Sequence, residues 1–357
     1  MNKSGLNDHS ELVELHPDSD PRWDEFVSSH PESTVYHHST WTQVLSETYG
    51  HTPLYLGLIS QDDGYLKGVL PFVFINSLLI GKRLVSLPFT SYCNPLVPEN
   101  RMEEALRYAF HRFRGVQYVE LKRLKRENEN KDNGQLGVES PYVCQILSLA
   151  GDINALFLSF HESCVRRRVR HAEKNGLAFR LAETESELHR FYDMFREVRH
   201  RHGLPSAPYK FFLNMYRLLA PRNLLELPVI EFEGRIIAAA VVLKSRSIWH
   251  LEYIVSDARF NNQGPNQLLL WECIKRAHQG GAKYFDFGRT ALWHHSLLAF
   301  KDRWHTERQR IRHHYFPGDT KAPRWRDFSD GFLVRLNKKI PSLFLQWEGR
   351  LIYPHKS

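Results

Sequence analysis

The chain has 357 residues, 42% of them hydrophobic and 13% aromatic, enough to bury a sizeable core and to form two domains. A formal net charge of +8 favours a polyanionic partner, whether nucleic acid, a phosphate-bearing co-substrate or an anionic membrane surface, over a cationic one. No run approaches the roughly 20 apolar residues of a membrane span, the N-terminal MNKSGLNDHSEL lacks the apolar centre of a signal peptide, and four scattered cysteines argue against a disulfide framework and a structural zinc site, so a cytoplasmic protein is expected.

In chain order, a short helix is predicted around 23–29 and a second over TWTQVLSETYG (40–50), with Thr40 as N-cap and Gly50 at the C-terminal end. PLYLGLIS and YLKGVLPFVFI read as strands joined across the Asp-Gly turn at 63–64. LLIGKRLVSLPF and a turn-rich TSYCNPLVPEN precede a helix over 101–115 and the strand VQYVELKRL (116–124). The charged stretch KRENENKDNGQLGVES (125–140) reads as a surface loop, and YVCQILSL restarts a strand.

A basic helix follows, SFHESCVRRRVRHAEKNG, carrying Arg166, Arg167, Arg168, Arg170 and Lys174; it reads as a solvated connector or as a polyphosphate or RNA contact. Two amphipathic helices, LHRFYDMFREVRHRHGLP and APYKFFLNMYRLLA, lead into NLLELPVIEF and RIIAAAVVLKS. The latter has no polar alternation, so it is predicted to be a central strand buried on both faces. IWHLEYIV, the loop SDARFNNQGPN (256–266), a helix over 267–281 and the strand AKYFDFGR (282–289) complete this half. VQYVELKR and AKYFDFGR occupy the same place in two series of hairpin, proline-containing loop, helix and strand, which implies tandem duplication.

The 256–266 loop ends at a helix N-terminus, where unpaired N–H groups suit an anionic ligand. It resembles the R-x-x-G-x-G/A turn of acyl-CoA-binding folds of the GNAT class, with Arg259 and Gly264 in place and Asn262 at the first glycine position, a substitution that a left-handed Asn would accommodate. The basic helix ending in R-x-A-E-K-x-G, the R-H-G at 201–203, the G-P-N loop, F-D-F-G-R at 285–289 and Phe300-Lys301 together resemble the FemAB-related proteins of the GNAT superfamily. The ending FSDGFLVRLNKKIPSLFLQWEGRLIYP is similar to the tail of the FemAB-like branch encoded with exopolysaccharide and exosortase-type export systems; no heptad run like the transfer-RNA-binding arm of Fem ligases occurs.

The resemblance implies an α/β (α+β) protein of two tandem GNAT-like domains, each a mixed, mostly antiparallel sheet flanked by helices: an N-terminal domain over 1–158, a C-terminal one over 159–320 and an amphipathic tail over 321–357. It implies transfer of an acyl or aminoacyl group from acyl-CoA or aminoacyl-tRNA, with no tightly bound cofactor, to an amine on a cell-envelope polysaccharide or peptidoglycan precursor, lipid-linked in many such systems. Direct attack needs positioning, proton removal and oxyanion stabilisation. For these tasks Asp286, Glu252 and Lys301 are the catalytic candidates; Arg259, Asn262, Gly264 and Asn266 the donor-binding ones; and Trp41, Arg201, Tyr253 and Arg289 the substrate-binding ones.

Several candidates have a plainer alternative, and the 256–266 loop that of an ordinary strand-to-helix turn. Asp286 caps a turn or pairs with Arg289, Lys301 is an exposed lysine, Trp41 is a core anchor, and Arg201 is a solvated surface residue. Asp286-Phe287-Gly288 is not a kinase signature, because the glycine-rich loop, V-A-I-K strand and H-R-D loop are missing. The pairs His37-His38, His294-His295 and His313-His314 place neighbouring rings on opposite strand faces, so no metal is expected. In the tail, Phe332, Leu336, Ile340, Leu343, Phe344 and Trp347 interleave with Arg335, Lys338 and Lys339, suiting either peripheral membrane contact or packing on the body. The non-enzymatic alternatives are a degenerate GNAT scaffold in polysaccharide assembly and a nucleic-acid-binding protein.

Overall fold

The computed structural model describes residues 9–77, 81–125, 137–318, 320 and 342–355, and for 342–355 only part of the side chains. The first half runs β1 (Ser10–Leu15), α1 (Arg22–Ser29), α2 (Ser39–Tyr49), β2 (Thr52–Ser60), β3 (Leu66–Ser77), β4 (Gly81–Val85), α3 (Glu99–Arg112), β5 (Tyr118–Leu124) and β6 (Gly137–Ser148). The connector holds α4 (Ile153–Ser159), a single π turn and α5 (Arg167–Lys174). The second half runs β7 (Ala178–Leu181), α6 (Glu185–Arg201), α7 (Tyr209–Leu219), β8 (Leu225–Glu226), β9 (Pro228–Phe232), β10 (Arg235–Lys244), β11 (Ile248–Ser256), α8 (Pro265–Gln279), β12 (Tyr284–Ala291), α9 (His295–Asp302) and β13 (Glu307–Phe316), and α10 (Ser342–Ile352) lies towards the end.

The strands join in one sheet, in the order β1-β2-β3-β4-β5-β13-β6-β12-β11-β10-β9-β7, with β8 beside β10. The duplication predicted from element order is visible in the pairing. In each half an antiparallel run ends in one parallel contact across a helix: β4 with β5, placing Val85 opposite Glu120, and β11 with β12, placing His250 opposite Asp286. The next strand is exchanged. β6 follows β5 in the chain but pairs with β12, and β13 follows β12 but pairs with β5. β6 and β13 then pair antiparallel at the centre.

The apolar patterns explain the layers. Ile237 to Leu243 of β10 are each 1% exposed or less, as a strand without polar alternation requires. On one face a single core runs through both halves: Val35, Trp41, Leu45 and Val85 pack with Phe191, Phe212, Val241 and Val255. On the opposite face the halves have separate cores under α3 and under α5 and α8. The halves are therefore joined both by strand exchange and by shared apolar burial.

Several local expectations are corrected. α2 is capped by His38, whose side chain accepts from the Thr40 N–H, so Thr40 is the second helical residue and not the N-cap; Gly50 ends the helix at φ 72° as expected. Residues 137–140, read as loop, already belong to β6, and the rest of that charged stretch from 126 to 136 lies outside the described residues. The basic helix is no free connector: Val165, Val169 and Ala172 are buried in the core shared with α8. In the tail, Phe332, Arg335, Leu336, Lys338, Lys339 and Ile340, with the side chains of Leu343, Phe344 and Trp347, lie outside the described residues. The end of the chain packs on the body: Tyr353 is buried against Phe89, and Arg83 Nη2 donates to the His355 carbonyl at 2.7 Å.

Candidate active site at the junction of the halves

β11 carries a bulge: Val241 lies opposite Tyr253 and Val242 opposite Leu251, leaving Glu252 as the extra residue. Alternation alone would send Glu252 and Tyr253 to opposite faces. The bulge turns both towards the face on which the two halves meet, where Tyr253 packs against Phe195 and Phe212 and Glu252 meets Tyr36. Tyr36 Oη donates to Glu252 Oε2 at 2.6 Å, across 216 residues of sequence. Burial raises the Glu252 pKa above its ordinary value, with the Tyr36 hydrogen bond partly opposing it. Burial also raises the Tyr36 phenol well above its usual range, as does the Glu252 charge beside it.

One step along the sheet, His250 Nδ1 lies 3.2 Å from Asp286 Oδ2, with both side chains buried. The other Asp286 oxygen accepts from the Gly288 N–H at 2.7 Å, and the Gly288 carbonyl accepts from Lys301 Nζ at 2.8 Å. Asp286 thus caps the turn and faces His250; it does not pair with Arg289, which is exposed and lies over the Tyr142 ring. Nε2 of His250 is buried without a hydrogen-bond partner among the described residues. Lys301 is 6% exposed, not a surface lysine, and burial lowers its pKa to about 8.

The first half contributes more than Tyr36. After β4 the chain takes left-handed conformations at two non-glycine residues, Leu87 (φ 67°) and Phe89 (φ 63°), a costly path held by surrounding packing. It delivers Tyr92, buried beside His250 and hydrogen-bonded to Asp286, with its pKa driven well above normal by burial and by the Asp286 charge. Cys144 of β6 is buried nearby, its thiol pKa also raised by burial and by Asp286.

The structure brings together Glu252, Tyr253, Asp286 and Lys301. Trp41 is fully buried between Tyr36 and Phe211, a core side chain behind the site with no open face. Arg201 is exposed at the last turn of α6. The four donor-binding candidates lie together at the start of α8, with Arg259 held by Asp257 at 2.6 Å and Asn266 Nδ2 donating to Ser256 at 2.9 Å. Asn262 sits inside a 3-10 turn, Ala258–Gln263, without a left-handed backbone; Gly264 alone takes that conformation, at φ 81°. A Cβ on Gly264 would approach the Arg168 carbonyl to 2.9 Å, so the turn and α5 are fitted to each other. Among the described residues no group of three or more His, Cys, Asp or Glu is placed to hold a metal ion.

Sequence reading missed Tyr36, Tyr92, His250 and Cys144. His250 carried a signal, two residues before Glu252 on the same strand, but the first-half residues carried none that linked them to this site.

Residues 160–322 match the acetyltransferase (GNAT) domain family, so the second half is an acyltransferase domain of GNAT type. No curated protein matches the chain. Among solved structures it is similar to FemX (16% identity, 85% of this chain and 96% of that one, TM-score 0.67). It is also similar to L-PGS from Bacillus licheniformis (15% identity, 80% and 93%, TM-score 0.51) and to a tandem GNAT protein from the clavulanic acid biosynthesis pathway (12% identity, 88% and 100%, TM-score 0.50). At these identities the likeness is one of fold.

Proposed function

We propose that the protein transfers an acyl or aminoacyl group to an amine on a cell-envelope polysaccharide or peptidoglycan precursor, and that each half is a GNAT-like unit, with the junction between them as the active site. The observation that carries this reading is the Tyr36–Glu252 hydrogen bond: a carboxylate with a raised pKa, set at a bulge, and completed by a phenol from the other half. A carboxylate displaced towards neutrality is suited to accept a proton near the operating pH.

In this reading the neutral amine attacks the donor carbonyl, forming the C–N bond. Glu252 takes the amine proton and the C–S or C–O bond to the donor breaks; the leaving group departs as a thiolate, or as a hydroxyl when the proton held by Glu252 passes to its oxygen. Lys301, anchored on the Gly288 carbonyl, supplies positive charge for the oxyanion or a donor phosphate. Asp286 and Tyr92 hold His250, and Tyr253 and Arg289 lie on the acceptor side. The donor is acyl-CoA or aminoacyl-tRNA. Its phosphates suit the start of α8, where Gly264, Asn266 and the basic α5 converge and where Arg259 would exchange Asp257 for the ligand. The protein works at the cytoplasmic face of the membrane, where lipid-linked precursors are found.

Isothermal titration with acetyl-CoA, longer acyl-CoAs and aminoacyl-tRNA tests this reading. Saturable binding of one donor is expected; binding of none counts against an enzyme. In that case the occupation of Arg259 by Asp257 favours the second reading, a non-catalytic scaffold.

A further inference from the structure

Beyond the transfer site, one stretch of surface departs from the rest. Residues 292–297 are six consecutive exposed positions, reading LWHHSL, between β12 and the body of α9. Three of them are large and apolar: Leu292 at 45%, Trp293 at 40% and Leu297 at 40% exposure, a density that scattered surface apolar residues do not reach. They are held firmly. The Leu292 N–H donates to the Pro141 carbonyl at 3.0 Å, the His294 N–H to Ala291, and Trp293 rests on Tyr142 at 5.7 Å between ring centres. The guanidinium of exposed Arg289 lies over the same Tyr142 ring at 5.1 Å.

We propose that this tip is a docking surface for an anionic lipid bilayer. An indole and two leucines on one exposed turn, flanked by the half-buried Tyr142 phenol of β6 and the Arg289 guanidinium of β12, form the set that partitions to the boundary between headgroups and acyl chains. The charge fits the same occupant. No Asp or Glu occurs from Phe287 to Lys301, and among the described residues the flanking carboxylates are engaged: Asp286 with His250 and the Gly288 N–H, Asp302 with Arg308 and, across the ladder, Glu139 with Arg310. On a chain of net charge +8, an acid-free apolar tip meets a negative surface without a like-charge penalty. Because the tip follows the end of β12 that carries Gly288 and Arg289, docking would bring the junction site to the membrane. The surface itself stands without the transfer reading.

The test is co-sedimentation of the full chain with vesicles of phosphatidylcholine alone and of equimolar phosphatidylcholine and phosphatidylglycerol. We expect binding to the anionic vesicles, weakened by salt, and a loss of at least roughly tenfold in partitioning for the Leu292→Ser, Trp293→Ser, Leu297→Ser triple variant. All three side chains are exposed, so the fold should survive, and circular dichroism checks it. As a readout independent of folding, brominated lipids should quench fluorescence in the parent and less in Trp293→Phe. Absent binding, equal partitioning of parent and variant, or self-association that the triple variant abolishes without any vesicle binding, each overturns the proposal; the last assigns the tip to a second copy of the chain. Acyl-donor titrations are independent of these outcomes.

Discussion

Glu252 and Lys301 are displaced in opposite directions by the same cause, loss of water, and both displacements bear on activity. The proposed reaction uses Glu252 ionised and Lys301 charged, so the rate should rise with pH above the ordinary glutamate range and fall as pH passes about 8. Glu252→Gln should abolish the acid limb and lower turnover by about 10²–10⁴-fold. Its thermal midpoint at neutral pH should hold or rise, because a carboxylate whose folded pKa is raised costs stability once ionised. Lys301→Met should remove the alkaline limb, with a loss of roughly 10²–10³-fold in turnover. Since the folded state releases this proton near 8 and the unfolded one near 10.5, the parent gains stability from Lys301 across that window while losing activity. Equal turnover in parent and Lys301→Met would remove Lys301 from the site. Tyr36→Phe deletes a hydrogen bond that lowers the Glu252 pKa, so the acid limb should move to higher pH; an unmoved limb would show that the two groups are not coupled.

Among the elements, the β11 bulge and the start of α8 have separate tasks. The bulge sets which side chains reach the junction, and the Gly264 turn sets how close α5 comes to the helix terminus. Gly264→Ala adds a side chain at φ 81° within 2.9 Å of a backbone carbonyl, neither of which a small shift relieves. It should cost about 1–3 kcal/mol in chemical denaturation and weaken donor binding further. A variant with full stability and full donor affinity would show that the turn is not fitted to α5. Elements whose signal was local, such as the both-face-buried β10, α2 with Gly50 and the two amphipathic helices, were legible from residues alone. The bulge was not, because an extra residue on one strand is defined only by its partner.

Across the whole molecule, strand exchange makes the two halves one cooperative body. β6 is encoded with the first half and paired into the second, β13 the reverse, and one apolar core spans both. Calorimetry should give a single unfolding transition. The separate fragments 1–158 and 159–357 should aggregate alone, since each carries an unpaired strand edge, and recover on co-expression. Two resolved transitions, or a soluble monomeric fragment, would contradict this.

What the residues determined by themselves was the succession of elements and its repetition, because apolar period, caps and turn chemistry act over neighbours a few positions apart. Strand ends and edges singled out Asp286 and Glu252, while Lys301 came from the family resemblance at Phe300-Lys301. That Tyr36 and Tyr92 join the proposed site, that Trp41 stands behind it, and that β6 and β13 change places was decided only in three dimensions. Strand pairing and burial join residues as far apart as Tyr36 and Glu252, and no local preference encodes which partner a buried carboxylate will find.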